Sequence, residues 1–352
     1  MKRFNGIALS VAFCSLASQA ALAQTKIDTL KVQHLNEVIV KGVRAAKEAP
    51  YAVANIRKSE LKQFSCTGQE LPFLLSRTPG ILAWSENGIG TGTTYMRIRG
   101  AAGSRINVTL DGVALNSPED QTVFWANMNS YSSLLSSIQV QRGVGSSTNG
   151  DGAFGGSISM ATAAPSLTPT AEVTGSFGSY NTYHTGASFS TGLLGKHLIF
   201  DGAYHETATD GYVDGTAGRS GSYYGGLTWL GDNFKISYKN IGNFEKTGQA
   251  WNGVLGGDYN SNFTLLQDGI RTYKDMYKAG LDKFNVLTGD MVRNGKGDYT
   301  ITPYTLRDGS KWDKTTDNFY QNHNILSATW TPGSHWSHSL SLHYTYGYGL
   351  VF

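Results

Sequence analysis

SLSLHYTYGYGLVF, residues 339–352, alternates with a period of two. Leu340, Leu342, Tyr344, Tyr346, Tyr348, Leu350 and Phe352 are apolar. Ser339, Ser341, His343, Thr345, Gly347 and Gly349 between them are polar or small, and only Val351 departs. A β-strand sends successive side chains to opposite faces, so this run has one apolar face and one polar face. A tilted strand of about 9–11 residues crosses a bilayer. Six further segments alternate in the same way: 171–177, 183–193, 198–204, 223–229, 234–238 and, more weakly, 319–330.

The connections between these segments point to lipid rather than a protein core on the apolar side. Residues 179–182, 192–195, 230–233 and 331–334 are short turns. Residues 207–220 and 245–317 are long, polar and glycine-rich. An outer-membrane barrel sorts its connections this way, short turns at one end and long loops at the other; a soluble β-sandwich does not. Composition agrees. Gly is 43 of 352 residues, well above the usual share of about 7%; aromatics reach 12% and Pro is only 8. Beyond residue 23 no apolar run reaches the 18 residues of a helical span, which excludes that class. A formal net charge of +3 is too small to argue for a nucleic-acid partner.

The N-terminus reads as a secretory signal peptide over residues 1–23: Lys2 and Arg3, a mostly apolar stretch, then Ala21-Leu22-Ala23, with cleavage expected after Ala23. Phe13 before Cys14 is too bulky for a lipoprotein signal. Cleavage leaves Cys66 alone, so no internal disulfide is expected and a large core or a membrane must hold the chain. Residues 24–45 form a polar tail that carries one strand-forming octapeptide, LNEVIVKG, 35–42.

Residues 46–164 read as a compact α+β domain. Helices are expected over 59–64 and 68–76, the second with Leu71, Leu74 and Leu75 on one face and Pro79-Gly80 as its stop. Strands are expected over 95–99, 106–110, 138–142 and 157–160, with turns at Asp111-Gly112 and Gly143. Gly143, Gly145, Gly150, Gly152, Gly155 and Gly156 permit positive φ and close backbone approach. They do not form a phosphate loop, because no Lys follows them in that pattern. No H-E-x-x-H, G-x-S-x-G or C-x-x-C occurs and the eight His are scattered, so neither an enzyme nor a cofactor is expected.

Five stretches taken in order resemble the plug domain and first barrel hairpin of TonB-dependent outer-membrane transporters. They are LPFLLSRTPGI (71–81), MRIRG (96–100), VTLDGVALN (108–116), SSIQVQRGVGSSTNGDGAFGGSISMATAAP (136–165) and GSFGSYNTYHTGASFSTG (175–192). The resemblance implies an α+β plug followed by antiparallel transmembrane β-barrel strands, surrounded by outer-membrane lipid. It places LNEVIVKG at the TonB box, so that Leu35, Asn36, Glu37, Val38, Ile39 and Val40 join a sheet edge of TonB, part of the inner-membrane energising complex. The other reading of that octapeptide is a first strand of the plug. Arg97, Arg99, Gly100, Asp111, Gly112, Arg142 and Gly143 are expected to seat the plug, with Arg99 and Arg142 pairing with barrel glutamates. Substrate contacts are expected at the plug apices: Trp84, Phe124 and Trp125 stacking on a flat ligand, Glu119 and Asp120 binding cation or hydroxyl groups.

A barrel wide enough for such a plug needs roughly 22 strands. Residues 165–352 hold about seven segments, an odd number, so an incomplete barrel at the N-terminal end of a larger receptor is expected. The aromatic ending at Phe352 imitates the terminal signal of many barrel proteins. The implied activity is energised uptake of a scarce nutrient complex: a metal chelate or siderophore, haem or cobalamin. Oligosaccharide uptake fits less well, since those relatives carry an extra N-terminal domain. The alternative is a secreted β-rich adhesin or binding protein without transport.

Overall fold

The computed structural model describes residues 44–45, 50, 52–144, 153–251, 269–293, 298–312, 315–333 and 335–351. The signal peptide, the octapeptide 35–42, Gly145, Gly150, Gly152 and Phe352 lie outside the described residues.

The plug begins with β1 (Ala52–Arg57), α1 (Lys58–Ser65) and α2 (Leu71–Leu75). It continues through β2 (Ile81–Ser85), β3 (Thr94–Ile98), β4 (Ile106–Leu110) and β5 (Val113–Ala114). It ends with α3 (Tyr131–Leu134), β6 (Leu135–Arg142) and β7 (Gly156–Thr162). Helix α1 starts where Glu60 turns back and accepts the Arg57 N–H at 2.9 Å, satisfying one of the first-turn donors. Helix α2 is shorter than the expected 68–76, because Gly68 at φ +70° is not helical and Glu70, with ψ 153°, is its extended N-cap. Pro72 sits in its first turn, where a missing N–H costs nothing. Leu71, Leu74 and Leu75 are all buried, as their common face requires.

Five strands form the plug sheet in the order β1-β6-β7-β4-β5, and β2 pairs with β3 as a separate hairpin. Only β4 and β7 run parallel. Two tight turns shape this unit. Arg99 and Gly100 have φ +49° and +84°, and Asp111 and Gly112 have φ +51° and +83°. Paired positive φ values are the mark of type I′ turns, which suit the twist of hairpin strands.

Seven strands follow as one antiparallel sheet. They are β8 (Thr170–Phe177), β9 (Tyr183–Ser190), β10 (Leu198–Thr209), β11 (Gly218–Leu230) and β12 (Phe234–Gly248), then β15 (Thr316–Trp330) and β16 (His338–Val351). The connection between β12 and β15 contains α4 (Tyr273–Lys278) and a hairpin of β13 (Gly289–Arg293) and β14 (Tyr299–Pro303). The sheet runs β16-β15-β12-β11-β10-β9-β8 without closing: it is an incomplete barrel. Leu340, Leu342, Tyr344, Tyr346, Tyr348 and Leu350 are all exposed, as are Phe200, Leu227, Trp229 and Ile236 on the same face of the neighbouring strands. A continuous apolar face of this size is the lipid-facing band of a transmembrane sheet.

The opposite face is polar and holds the plug. Ser222, Lys239, Asn243 and Thr247 on it are buried. Ile241 of β12 joins the plug's own apolar core, packed with residues such as Leu110, Ile138 and Met160. Gly155 shows how close the plug's own packing is. A Cβ there would stand 2.5 Å from the Ala101 Cβ and 2.7 Å from the Arg105 carbonyl oxygen. Gly155→Ala is expected to lower plug stability by about 1–3 kcal/mol, read as an earlier unfolding midpoint. An unchanged midpoint would remove the close-approach argument.

Candidate functional site

Two arrangements on the plug bear on function: a cavity and a seat. The cavity encloses about 570 Å³ between the plug and the Gly248 end of β12. Its plug wall starts with β2 and β3. Trp84 and Tyr95 face each other across that hairpin, stacked with centroids 5.4 Å apart, and the Arg97 guanidinium lies 6.0 Å from the Trp84 ring. The second part of the plug wall is the segment 116–129. Asn116 pins its base, accepting the Val108 N–H at 2.8 Å and donating to the carbonyls of Ile106 and Gln121. Phe124 is exposed, whereas Trp125 is buried and opens a short 3-10 turn packed on β12 and β15. The far wall is Glu245, Gln249, Trp251, Asp317 and Phe319.

Glu86 ties the two walls together. One carboxylate oxygen accepts the Tyr95 hydroxyl at 2.7 Å. The other accepts the backbone N–H groups of Ala250 and Trp251, each at 2.9 Å. Burial, together with the bond to Glu86, pushes the Tyr95 phenol well above its ordinary range. Asn129, which ends the same 3-10 turn, donates to the buried Glu70 carboxyl at 2.5 Å. Burial raises the Glu70 pKa to about 8 against the opposing bonds from Asn129 and Gly92.

Four of the five residues expected to meet substrate therefore line one cavity: Trp84, Asp120, Phe124 and Trp125. Glu119 is exposed and outside the lining. Asp120 has both oxygens engaged by Thr122, through its N–H at 2.9 Å and its hydroxyl at 2.7 Å, which keeps its carboxyl below the usual range. Arg97, read from the sequence as a seating residue, faces this cavity as well. Glu86, Glu245, Asp317, Trp251 and Phe319 escaped the sequence reading. Continuing the alternation from Lys235 through Lys239 to Glu245 would have found one of them.

The seat lies six residues from Glu245 along β12, about 20 Å at the rise of a strand. Lys239 Nζ donates to Asp111 at 2.9 Å and to the Thr162 hydroxyl at 2.8 Å. Asp111 also accepts the Thr162 N–H at 2.9 Å and its hydroxyl at 2.8 Å. Side-chain exposure is 6% for Lys239 and 1% for Asp111, so the pair is out of water. Burial opposes the Asp111 charge, but Lys239 and the Thr162 bonds outweigh it and hold the carboxyl below its ordinary value. A second plug-to-sheet ion pair, Lys62 with Glu172 at 2.6 Å, is exposed and contributes little. Among the described residues, neither Arg99 nor Arg142 forms an ion pair with a barrel carboxylate. Arg142 instead donates to the Pro79 carbonyl at 2.6 Å within the plug, and Arg99 lies beside Gly143, whose φ is +87°.

Comparison with known proteins agrees with this geometry. Residues 45–157 match the family model of the TonB-dependent Receptor Plug Domain. Among solved structures, the ferric yersiniabactin uptake receptor FyuA from Yersinia pestis is 15% identical with a TM-score of 0.59, over 87% of this chain and 42% of its own. The siderophore receptor PiuA from Acinetobacter baumannii is 14% identical with a TM-score of 0.59, over 88% and 38%. The alcaligin outer-membrane receptor FauA from Bordetella pertussis is 12% identical with a TM-score of 0.57, over 88% and 41%. No curated protein matches. Residues 45–157 are thus a plug domain of the TonB-dependent receptor type, packed on antiparallel strands that share the fold of those receptor structures. The chain spans about two fifths of the length of the receptor structures it matches.

Proposed function

We propose that the chain is the plug-bearing part of an outer-membrane receptor that takes up a scarce nutrient complex, with a metal chelate as the favoured cargo. The observation that carries the reading is the cavity. Aromatic rings from the plug and from the end of the barrel strands converge there around a few polar groups, the usual make-up of a small-molecule site. A ligand seated between Trp84 and Trp125 on one side and Trp251 and Phe319 on the other touches both bodies, and Glu86 links them directly. Loading the cavity thus acts on the plug itself.

Energy enters from the other end. Arg44, the first described residue, is fastened by hydrogen bonds to Ser137 and Ser159 on β6 and β7. The octapeptide lies just upstream of that anchor and is offered to TonB as an added strand. Arg99 and Arg142 complete the seat in this reading, on carboxylates of further barrel wall. A Cys at Val38 should form a disulfide with a Cys in the matching strand of TonB in cell envelopes, and more strongly when ligand is present. If Val38→Cys gives no cross-link with ligand bound, while control positions outside 35–40 behave alike, the TonB-box assignment falls.

A further inference from the structure

The cavity has an unbalanced charge. Four carboxylates line it, Glu86, Asp120, Glu245 and Asp317, against one guanidinium, Arg97. Two of the four are already satisfied: Glu86 by three donors and Asp120 by Thr122. Glu245 and Asp317 are the exceptions. Glu245 is only 6% exposed, and one of its carboxylate oxygens is buried without a hydrogen-bond partner. In the strand register Glu245 stands opposite Phe319, and Asp317 opposite Thr247. The two carboxylates are therefore diagonal neighbours on one face, a spacing of about 7–8 Å between backbones that a single donor group can bridge.

Leaving a buried carboxylate oxygen unpaired is costly, and a second carboxylate beside it adds repulsion. A cation between them removes both penalties. The rings of Trp125, Trp251 and Phe319 around it add the attraction of aromatic faces for positive charge. Among the described residues, no group of three or more His, Cys, Asp or Glu is placed to hold a bare metal ion, so the positive group is organic. We propose that this cavity selects cargo bearing a protonated amine, held between Glu245 and Asp317, and disfavours polyanionic chelates. The proposal rests on the cavity being the ligand site.

The test keeps the iron core constant and changes only one charge. Ferrioxamine B has a pendant ammonium; its N-acetyl derivative is neutral there, and its N-succinyl derivative is a carboxylate. Each is titrated into the chain in detergent and followed by tryptophan fluorescence. The ammonium form should bind about tenfold or more tighter than the succinyl form, with the acetyl form between them. Glu245→Gln and Asp317→Asn should each shrink that difference severalfold. Equal or tighter binding of the succinyl form overturns the proposal. If none of the three binds, the chelate reading of the cavity fails, and naphthylmethylammonium against naphthoate decides the charge inference separately. Preference for the amine, lost in Glu245→Gln, sustains it; no preference removes it.

Discussion

Lys239→Met is expected to destabilise the seated plug by about 3–5 kcal/mol, because it strands the Asp111 carboxylate in a site with almost no water. The Thr162 bonds remain, but they satisfy a charge without neutralising it. Adding Asp111→Asn to the same chain should recover most of the loss. The amide keeps an acceptor for the Thr162 N–H, and a neutral pair of similar volume often matches a buried ion pair. Urea unfolding and hydrogen exchange across 108–111 and 158–162 would read both changes. A neutral Lys239→Met, or a double variant no better than the single, would show that the pair does not hold the plug. The pH dependence has a fixed sign. Asp111 is lowered from an ordinary value of 3.8, so its contribution is present above that value and disappears as the pH falls below it.

Glu70 acts in the opposite direction. Its folded pKa of about 8 lies above the ordinary 4.5, so the native plug keeps a proton that the unfolded chain releases. Stability then falls as pH rises from 4.5 toward 8, by about 3 kcal/mol at pH 7 on the scale of 1.36 kcal/mol per unit. Glu70→Gln should flatten that slope and raise stability at neutral pH, since the amide oxygen still accepts from Asn129. Unfolding free energies at pH 5 and pH 8 for both forms check it, and parallel profiles would defeat it. The effect reaches the cavity, because Asn129 ends the turn that carries Trp125. Alkaline conditions should loosen the aromatic wall before they unfold the plug.

Much of this architecture was legible, for reasons of side-chain geometry. All seven sheet strands were visible as alternation, because the part of each that faces hydrocarbon must be apolar on that side. The reading stopped short where that side turns polar. Strand β12 runs to Gly248, not Tyr238, but the next two outward positions after Tyr238 are Asn240 and Gly242, and apolar Phe244 comes only after that gap. Asn240 is satisfied there by Asn322 at 2.9 Å, so the strand continues across a break in the apolar alternation. Strands β1 and β2 were missed because each is short and stabilised by partners distant in sequence or by one hairpin. The cavity-lining aromatics of the plug were singled out through the resemblance. The carboxylates opposite them lie at strand ends and become a site only when the register sets Glu245 and Asp317 side by side.

Strands β8 and β16 each hydrogen-bond along a single side. In hydrocarbon a bare row of N–H and C=O groups finds no water, and each such group costs several kcal/mol. For β16 that row is 14 residues long, a deficit larger than the stability of most whole domains. Insertion of this sheet and pairing of its rim are therefore coupled: β16 enters hydrocarbon only as its open row of groups finds partners.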